Sequence, residues 1–510
     1  MTNHRHARRI AIRATCTALI LYGVVDAAIA SDSTGPLPDA GARDSAAPLP
    51  WTSSGRAAGA VQLTAADATS SSRDALFGDD EKSPGKTPAQ RESRDALFGD
   101  DVAATAPPSP WRGFISGELA RTYASPSHWS KMLIRGELDA QGALGDGVKY
   151  KLGARFDYDF VYNATDFYPP DVRRDQRANF MLRENYVDFG TGDWDFRLGR
   201  QQVVWGEMVG LFFADVVSAK DLREFILPDF DELRIPQWAT RAEYFKGDFH
   251  AEAIWIPVPS YDNIGKPGAE FFPAVLPPPS GFATLYDDEQ VPRRTLANTN
   301  YGLRMSMLKN GWDMSGFYYR SMDAAPTFYR QVVLAPEPAF VYQARHDRIG
   351  QFGGTLAKDL GPAVFKAEAV VTSGRSYNVL RASDDDGVVR QNTLDLIGGL
   401  DFTLPEDTRL NLQLFARTFF NHDPDIIPKR HEPGFSILLN RKLNERFEAE
   451  VLWITSLARS DWMLRPHIAW NFQTNWQLRF GVDIFKGAPL GLFGQYANRD
   501  RVYTEVRFNF

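Results

Sequence analysis

The sequence holds a single cysteine, Cys16, and it lies within the first thirty residues. Those residues read as an export signal: a basic start, "MTNHRHARRIAIR", an apolar run, "ATCTALILYGVV", too short to span a bilayer, and "AIA" before Ser31. Cleavage is expected after Ala30. Cys16 follows "RAT" inside the apolar run and lacks the small-residue box that precedes a lipidated cysteine. The mature chain is therefore expected to have no disulfide, no thiolate nucleophile and no thiolate metal site. Basic blocks are also missing. The net charge of −7 becomes −10 once Arg5, Arg8, Arg9, Arg13 and Asp26 leave with the signal, which excludes nucleic acid as a partner. Beyond the signal no apolar run approaches the ~20 residues of a transmembrane helix. Catalytic patterns are absent too: His128, His250, His346, His422, His431 and His467 fall in no H-E-x-x-H or G-x-S-x-G context, and no glycine loop would cradle a phosphate. Neither an enzyme nor a cofactor is expected. In "NHDPDIIPKRHEP", His422 and His431 neighbour Asp423, Asp425 and Glu432, but a solvated polar loop accounts for them, and no metal site is assigned.

What the chain does contain falls into two textures. Residues 31–108 are rich in Ala, Ser, Asp, Pro and Gly, with too few apolar side chains to form a core, and read as a disordered segment. Within it "SRDALFGDD" occurs at 72–80 and, letter for letter, at 93–101. Leu76, Phe77, Leu97 and Phe98 are then exposed apolar anchors flanked by charge. Either they are paired docking motifs for a periplasmic protein, which two copies would bind with greater avidity, or they are a duplication without function.

From residue 109 the texture changes to segments of about ten residues that alternate apolar with polar, divided by Gly, Asp, Asn and Pro. In "RVYTEVRFNF", Val502, Thr504, Val506, Phe508 and Phe510 oppose Tyr503, Glu505, Arg507 and Asn509. In "YKLGARFDYDF", Leu152, Ala154, Phe156, Tyr158 and Phe160 oppose Lys151, Arg155, Asp157 and Asp159. A soluble sandwich could show the same period. Export, the terminal aromatic strand and connections that alternate between short and long favour an all-β antiparallel transmembrane barrel of about 18 strands (16–18) in the outer membrane of a Gram-negative bacterium. Short links such as 190–193, 246–248, 309–311, 405–407 and 442–445 are expected on the periplasmic side, with the N-terminal segment. Counting 338–346 as a barrel strand gives an odd total, so 328–343 is assigned to an extracellular excursion. The partners expected are outer-membrane lipids and the barrel-assembly machinery, for which Phe508 and Phe510 form the terminal signal.

A barrel of this size has room for an aqueous lumen. The third long connection, 205–237, carries the runs "LFFADVV" and "FIL", which solvate poorly, so it is expected to fold inward. It would set Glu207, Asp215, Lys220, Asp221, Arg223, Glu224, Asp229, Glu232 and Arg234 around a constriction. Arg155, Arg197, Arg417, Arg479 and Arg507 are expected on the lumen wall, mixed with carboxylates that pair with them across strands. Trp205 reads as an interfacial anchor, and Glu207 as a partner of Arg200 or Arg223. The loop at 257–294 is either a ligand cap or a stiff lid.

The run "RLGRQQVVWGEMVG", continuing into "DVVSAKDLREFILPDFDELRIPQW", resembles a family of proteobacterial outer-membrane proteins classified as a domain of unknown function. The resemblance covers about residues 111–510 and is specific around 197–238. It implies a porin-like barrel, often encoded near a periplasmic protein of the lipoprotein-sorting type and exporters of the resistance-nodulation-division class. The division expected is thus a signal at 1–30, a tether at 31–108 and a barrel at 109–510. The function expected is a channel or transporter for small molecules, apolar or lipid-like cargo included. The alternative is a plugged barrel that docks periplasmic proteins.

Overall fold

Side chains that alternate between lipid and water suit extended backbone, and the computed structural model shows eighteen long strands from Trp111 onward. It describes residues 111–145, 147–206, 208 and 214–510. The signal, the tether with Leu76, Phe77, Leu97 and Phe98, and Glu207 lie outside the described residues. The wall comprises β1 (Trp111–Thr122), β2 (His128–Gly145), β3 (Val148–Asp159), β4 (Ala178–Thr191), β5 (Trp194–Gln201), β6 (Gln237–Lys246), β7 (Phe249–Val258), β8 (Asn300–Lys309), β9 (Trp312–Met322), β10 (Arg348–Asp359), β11 (Ala363–Asn378), β12 (Val388–Leu404), β13 (Thr408–Phe419), β14 (His431–Lys442), β15 (Phe447–Ser456), β16 (Trp462–Gln473), β17 (Trp476–Lys486) and β18 (Arg501–Asn509). Each strand pairs antiparallel with its sequence neighbours.

The first and last strands close the sheet. Nine residue pairs run from Phe114↔Asn509 to Thr122↔Arg501, and Gly113 and Phe510 exchange two backbone hydrogen bonds of 2.9 Å. Closure removes the edges that a hydrocarbon core could not satisfy. The faces divide as the alternation requires. Leu152, Phe156, Phe352, Leu414 and Phe480 are exposed on the outside, whereas Arg155 and Asp483 are buried within. Aromatic rings gather beside the short turns: Trp194 meets Phe196 and Tyr244, and Trp470, Phe472, Trp476, Phe508 and Phe510 form a chain of ring contacts. Such a belt marks one membrane interface. The chain is a closed transmembrane β-barrel.

The 328–343 segment stays out of the wall. β9 pairs directly with β10, from Trp312↔Lys358 to Met322↔Arg348. The intervening hairpin, Thr327–Val333 with Ala339–Arg345, joins Ala283–Gln290 in a separate three-stranded sheet at the long-loop end.

Candidate functional site

β5 is only eight residues long, and its ladder with β6 ends at Gln201↔Gln237. The chain between them, 202–236, leaves the wall and binds inward-facing residues around the barrel. Its first arm is apolar. Val203, Trp205, Ala214 and Val217 pack with Ala239 on β6, Ile254 and Ile256 on β7, Phe317 and Tyr319 on β9, and Val370 on β11. Trp205 is 1% exposed, and its indole N–H donates to Glu252 at 3.2 Å. The interfacial-anchor reading is therefore overturned: the indole is buried inside the barrel, away from lipid. Gly302 on β8 makes this possible, because a Cβ there would stand 2.7 Å from the indole Cη2. Further across, Glu368 on β11 accepts hydrogen bonds from the Met208 N–H (3.0 Å) and the Ala214 N–H (3.1 Å). One wall carboxylate thus holds both Met208 and Ala214.

The second arm is acidic and meets a basic wall. Glu224 pairs with Lys131 and Arg135 on β2, and Glu232 with Arg135 and, at 2.8 Å, with Arg507 on β18. Asp229 lies 3.6 Å from Arg479 on β17, and Asp221 lies 3.6 Å from Arg155 on β3. Loop carbonyls are used as well. The Glu232 carbonyl accepts from Arg155 (2.8 Å), the Leu227 carbonyl from Arg465 on β16 (2.7 Å), and the Arg234 carbonyl from Arg183 on β4 (2.7 Å). Phe225, Ile226 and Leu227 fill an apolar cluster with Ile454, Met463, Phe485 and Tyr496. Burial opposes ionisation of Glu232, but Arg135, Arg507 and Arg155 outweigh it and hold the carboxyl well below its ordinary range. Asp221 is likewise held low despite burial, by Arg223 and Arg155. Between this arm and the wall remain voids of about 40 Å³, lined by Lys131, Arg135, Glu224 and Glu232 among others, and about 50 Å³, lined by Asp229, Glu450 and His467 among others. A water molecule's share of liquid is ~30 Å³, so these spaces hold little more than solvent.

The remaining loop charges brace the loop itself. Asp215 accepts from Arg234 (3.0 Å), Arg223 grips Asp221 (2.6 and 2.8 Å), and the Lys220 ammonium donates to the carbonyls of Asp215 and Ser218. The five arginines read as lumen residues divide into two kinds. Arg197 and Arg417 pair within the wall, with Asp188 (2.7 Å) and Asp395 (2.6 Å). Arg155, Arg479 and Arg507 turn to the loop. The sequence reading overlooked Lys131, Arg183 and Arg465 as their companions. Arg465 shares its face with Met463, His467 and Ala469, which conceals the polar side, and β4 is offset by a bulge opposite Leu152/Ala154 that breaks the alternation near Arg183. Elsewhere, Asp423 and Asp425 engage Arg381, and the His422 Nε2 faces the Pro428 carbonyl at 2.9 Å.

The long loop between β7 and β8 covers the mouth above this site. Its Glu270 reaches the opposite rim, accepting from Thr122 (3.0 Å) and Tyr168 (2.8 Å) and facing the His128 Nε2 at 2.9 Å. The Tyr496 hydroxyl donates to the Phe271 carbonyl (3.1 Å). Nearer its start, Asp262 accepts from the Lys220 N–H (2.7 Å), and Asn263 exchanges backbone bonds with Lys220 and Leu222. Mouth loop and inner loop are thus joined directly.

No curated protein matches the chain. Solved structures similar to it include OccK8 (OprE) of Pseudomonas aeruginosa, with 9% identity and a TM-score of 0.45 over 79% of this chain and 97% of that one. OccK2 (OpdF) of the same organism, crystallised with glucuronate, has 10% identity and a TM-score of 0.45 over 79% and 97%. OccAB3 of Acinetobacter baumannii has 8% identity and a TM-score of 0.45 over 78% and 98%. The family model DUF1302, described as a protein of unknown function, matches residues 132–394, a span that contains β3 to β11 and the whole inward loop. With more than half of its length matched, the chain belongs to the DUF1302 family.

Proposed function

We propose that the protein is an outer-membrane channel or transporter for small molecules, and that the 202–236 loop closes its lumen. The observation that carries this reading is the loop's course: one arm is packed on β6, β7, β9 and β11, the other is held by β2–β4 and β16–β18, and an 18-stranded wall would otherwise enclose an aqueous passage. The loop's charges among the described residues are already bonded, so solute passes only when one arm detaches. In this reading Asp215, Lys220, Asp221, Arg223, Glu224, Asp229, Glu232 and Arg234 hold the gate in its closed position. The short-turn end and the N-terminal segment face the periplasm, lipids contact the apolar girdle, and Phe508 and Phe510 serve barrel assembly. The paired nonapeptides recruit a periplasmic partner that hands over or receives cargo, apolar or lipid-like molecules included.

The small voids beside the loop favour one other reading, a plugged barrel that only docks periplasmic proteins. Proteoliposome swelling separates the two. Deletion of residues 212–230 should admit small sugars that the full chain excludes. Exclusion by both proteins, with the deletion variant folded, would leave the docking reading.

A further inference from the structure

We infer that the basic wall bound by the acidic arm is a recognition site for small organic carboxylates, and that Glu224, Asp229 and Glu232 occupy it as internal substitutes for the solute. This rests on the channel reading above and names its substrate class. The direction of the contacts leads to it. Arg135, Arg155, Arg183, Arg465, Arg479 and Arg507 project from six strands, and each bond they make to the loop ends on a loop oxygen, either a carboxylate or a carbonyl. Wall carboxylates such as Glu118, Asp157 and Glu505 stand among these cations, but the groups that reach Glu224, Asp229 and Glu232 are Lys131, Arg135, Arg479 and Arg507, a convergence of cationic donors suited to a carboxylate.

The site is also short of acceptors while the loop is in place. The Nε groups of Arg155 and Arg479 make no hydrogen bond, although Arg155 is 1% exposed and its Nε lies 3.4 Å from Asp157. Arg507 stacks on Phe114 at 3.6 Å, and among the described residues its ion pair is with Glu232 alone. When the arm leaves, Arg507 and part of Arg135 lose their counter-charge at once. Asp483 does not replace it, because both of its oxygens are taken by Arg465 and Arg501 at 2.8 Å. Clustered guanidinium groups left without these counter-charges repel one another across the opened lumen, so an arriving carboxylate stabilises the open state by restoring the pairs that the arm surrenders. Solute and loop then compete for the same donors, and the solute promotes its own passage.

Planar bilayers and proteoliposomes containing the full chain test this with succinate and putrescine, four-carbon chains of opposite charge. Glu224→Gln with Glu232→Gln should loosen the arm and give a succinate-to-putrescine permeability ratio of about tenfold, equivalent to ~1.4 kcal/mol of preference. Adding Arg507→Gln, or Arg479→Gln where the first variant does not fold, should bring that ratio toward one. Conductance without anion preference, or a preference indifferent to both arginines, would overturn the inference and leave the channel reading standing. Silence of every variant, including the loop deletion, would remove both.

Discussion

Replacing Trp205 with alanine tests the apolar half of the gate. The indole is buried against Ile254, Ile256, Phe317, Tyr319 and Val370, and truncating a buried tryptophan costs about 3–5 kcal/mol. The lower end applies here, because Glu252 keeps Arg241 as a neighbour at 3.3 Å after the indole N–H is lost. The barrel wall does not share this cost, since β7, β8 and β9 remain in continuous ladders. The loss falls on docking of residues 203–218, and ~3 kcal/mol corresponds to about a hundredfold change in the docking equilibrium. Hydrogen exchange read by mass spectrometry, on protein in detergent, should show protection of 203–218 falling by about that factor. β7–β9 should be unchanged, and 221–234, held separately by arginines, should change less. Undiminished protection of 203–218, or uniform loss across the barrel, would refute the assignment of Trp205 as an internal anchor of the loop.

Other consequences can be measured on the same protein. Gly302→Val would place a Cβ 2.7 Å from the indole and 2.8 Å from the Tyr319 ring, so it should reproduce the exchange pattern of Trp205→Ala without touching the loop sequence. Acid should open the gate late. The Glu232 carboxyl is held below its ordinary value, so its contribution to docking is complete above about pH 4.3 and is lost only as pH falls through the lowered value. The share of closure that Glu232→Gln removes should accordingly stay constant from neutrality to about pH 4.3, and a change centred on that value would contradict the pairing with Arg135 and Arg507. Replacing Leu76, Phe77, Leu97 and Phe98 with alanine should leave barrel insertion intact while abolishing capture of a periplasmic partner. Equal capture by the variant would reduce the repeats to a duplication.

The wall was readable because each strand repeats a two-residue code over some ten positions. Leu152 against Lys151 and Phe480 against Arg479 required no knowledge of neighbouring strands, and parity was enough to remove 338–346 from the barrel. The gate was less readable, because its contacts join residues hundreds of positions apart. Nothing near Glu232 in sequence reveals that Arg135 and Arg507 converge on it, and a tryptophan at a strand end usually marks an interface. The mixed list of lumen charges likewise concealed a spatial division: Arg417 and Arg197 brace the wall, while Arg155, Arg479 and Arg507 turn to the loop. Gly302 could be understood only once Trp205 was seen beside it.

The central claim is that residues 202–236 close a barrel wide enough to conduct. Single-channel recording in planar bilayers, comparing the full chain with a variant lacking residues 212–230, tests it most directly. The account predicts rare, brief openings for the full chain and a steady, larger conductance for the deletion variant. Equal conductance of the two proteins, or none from a correctly folded deletion variant, would contradict it.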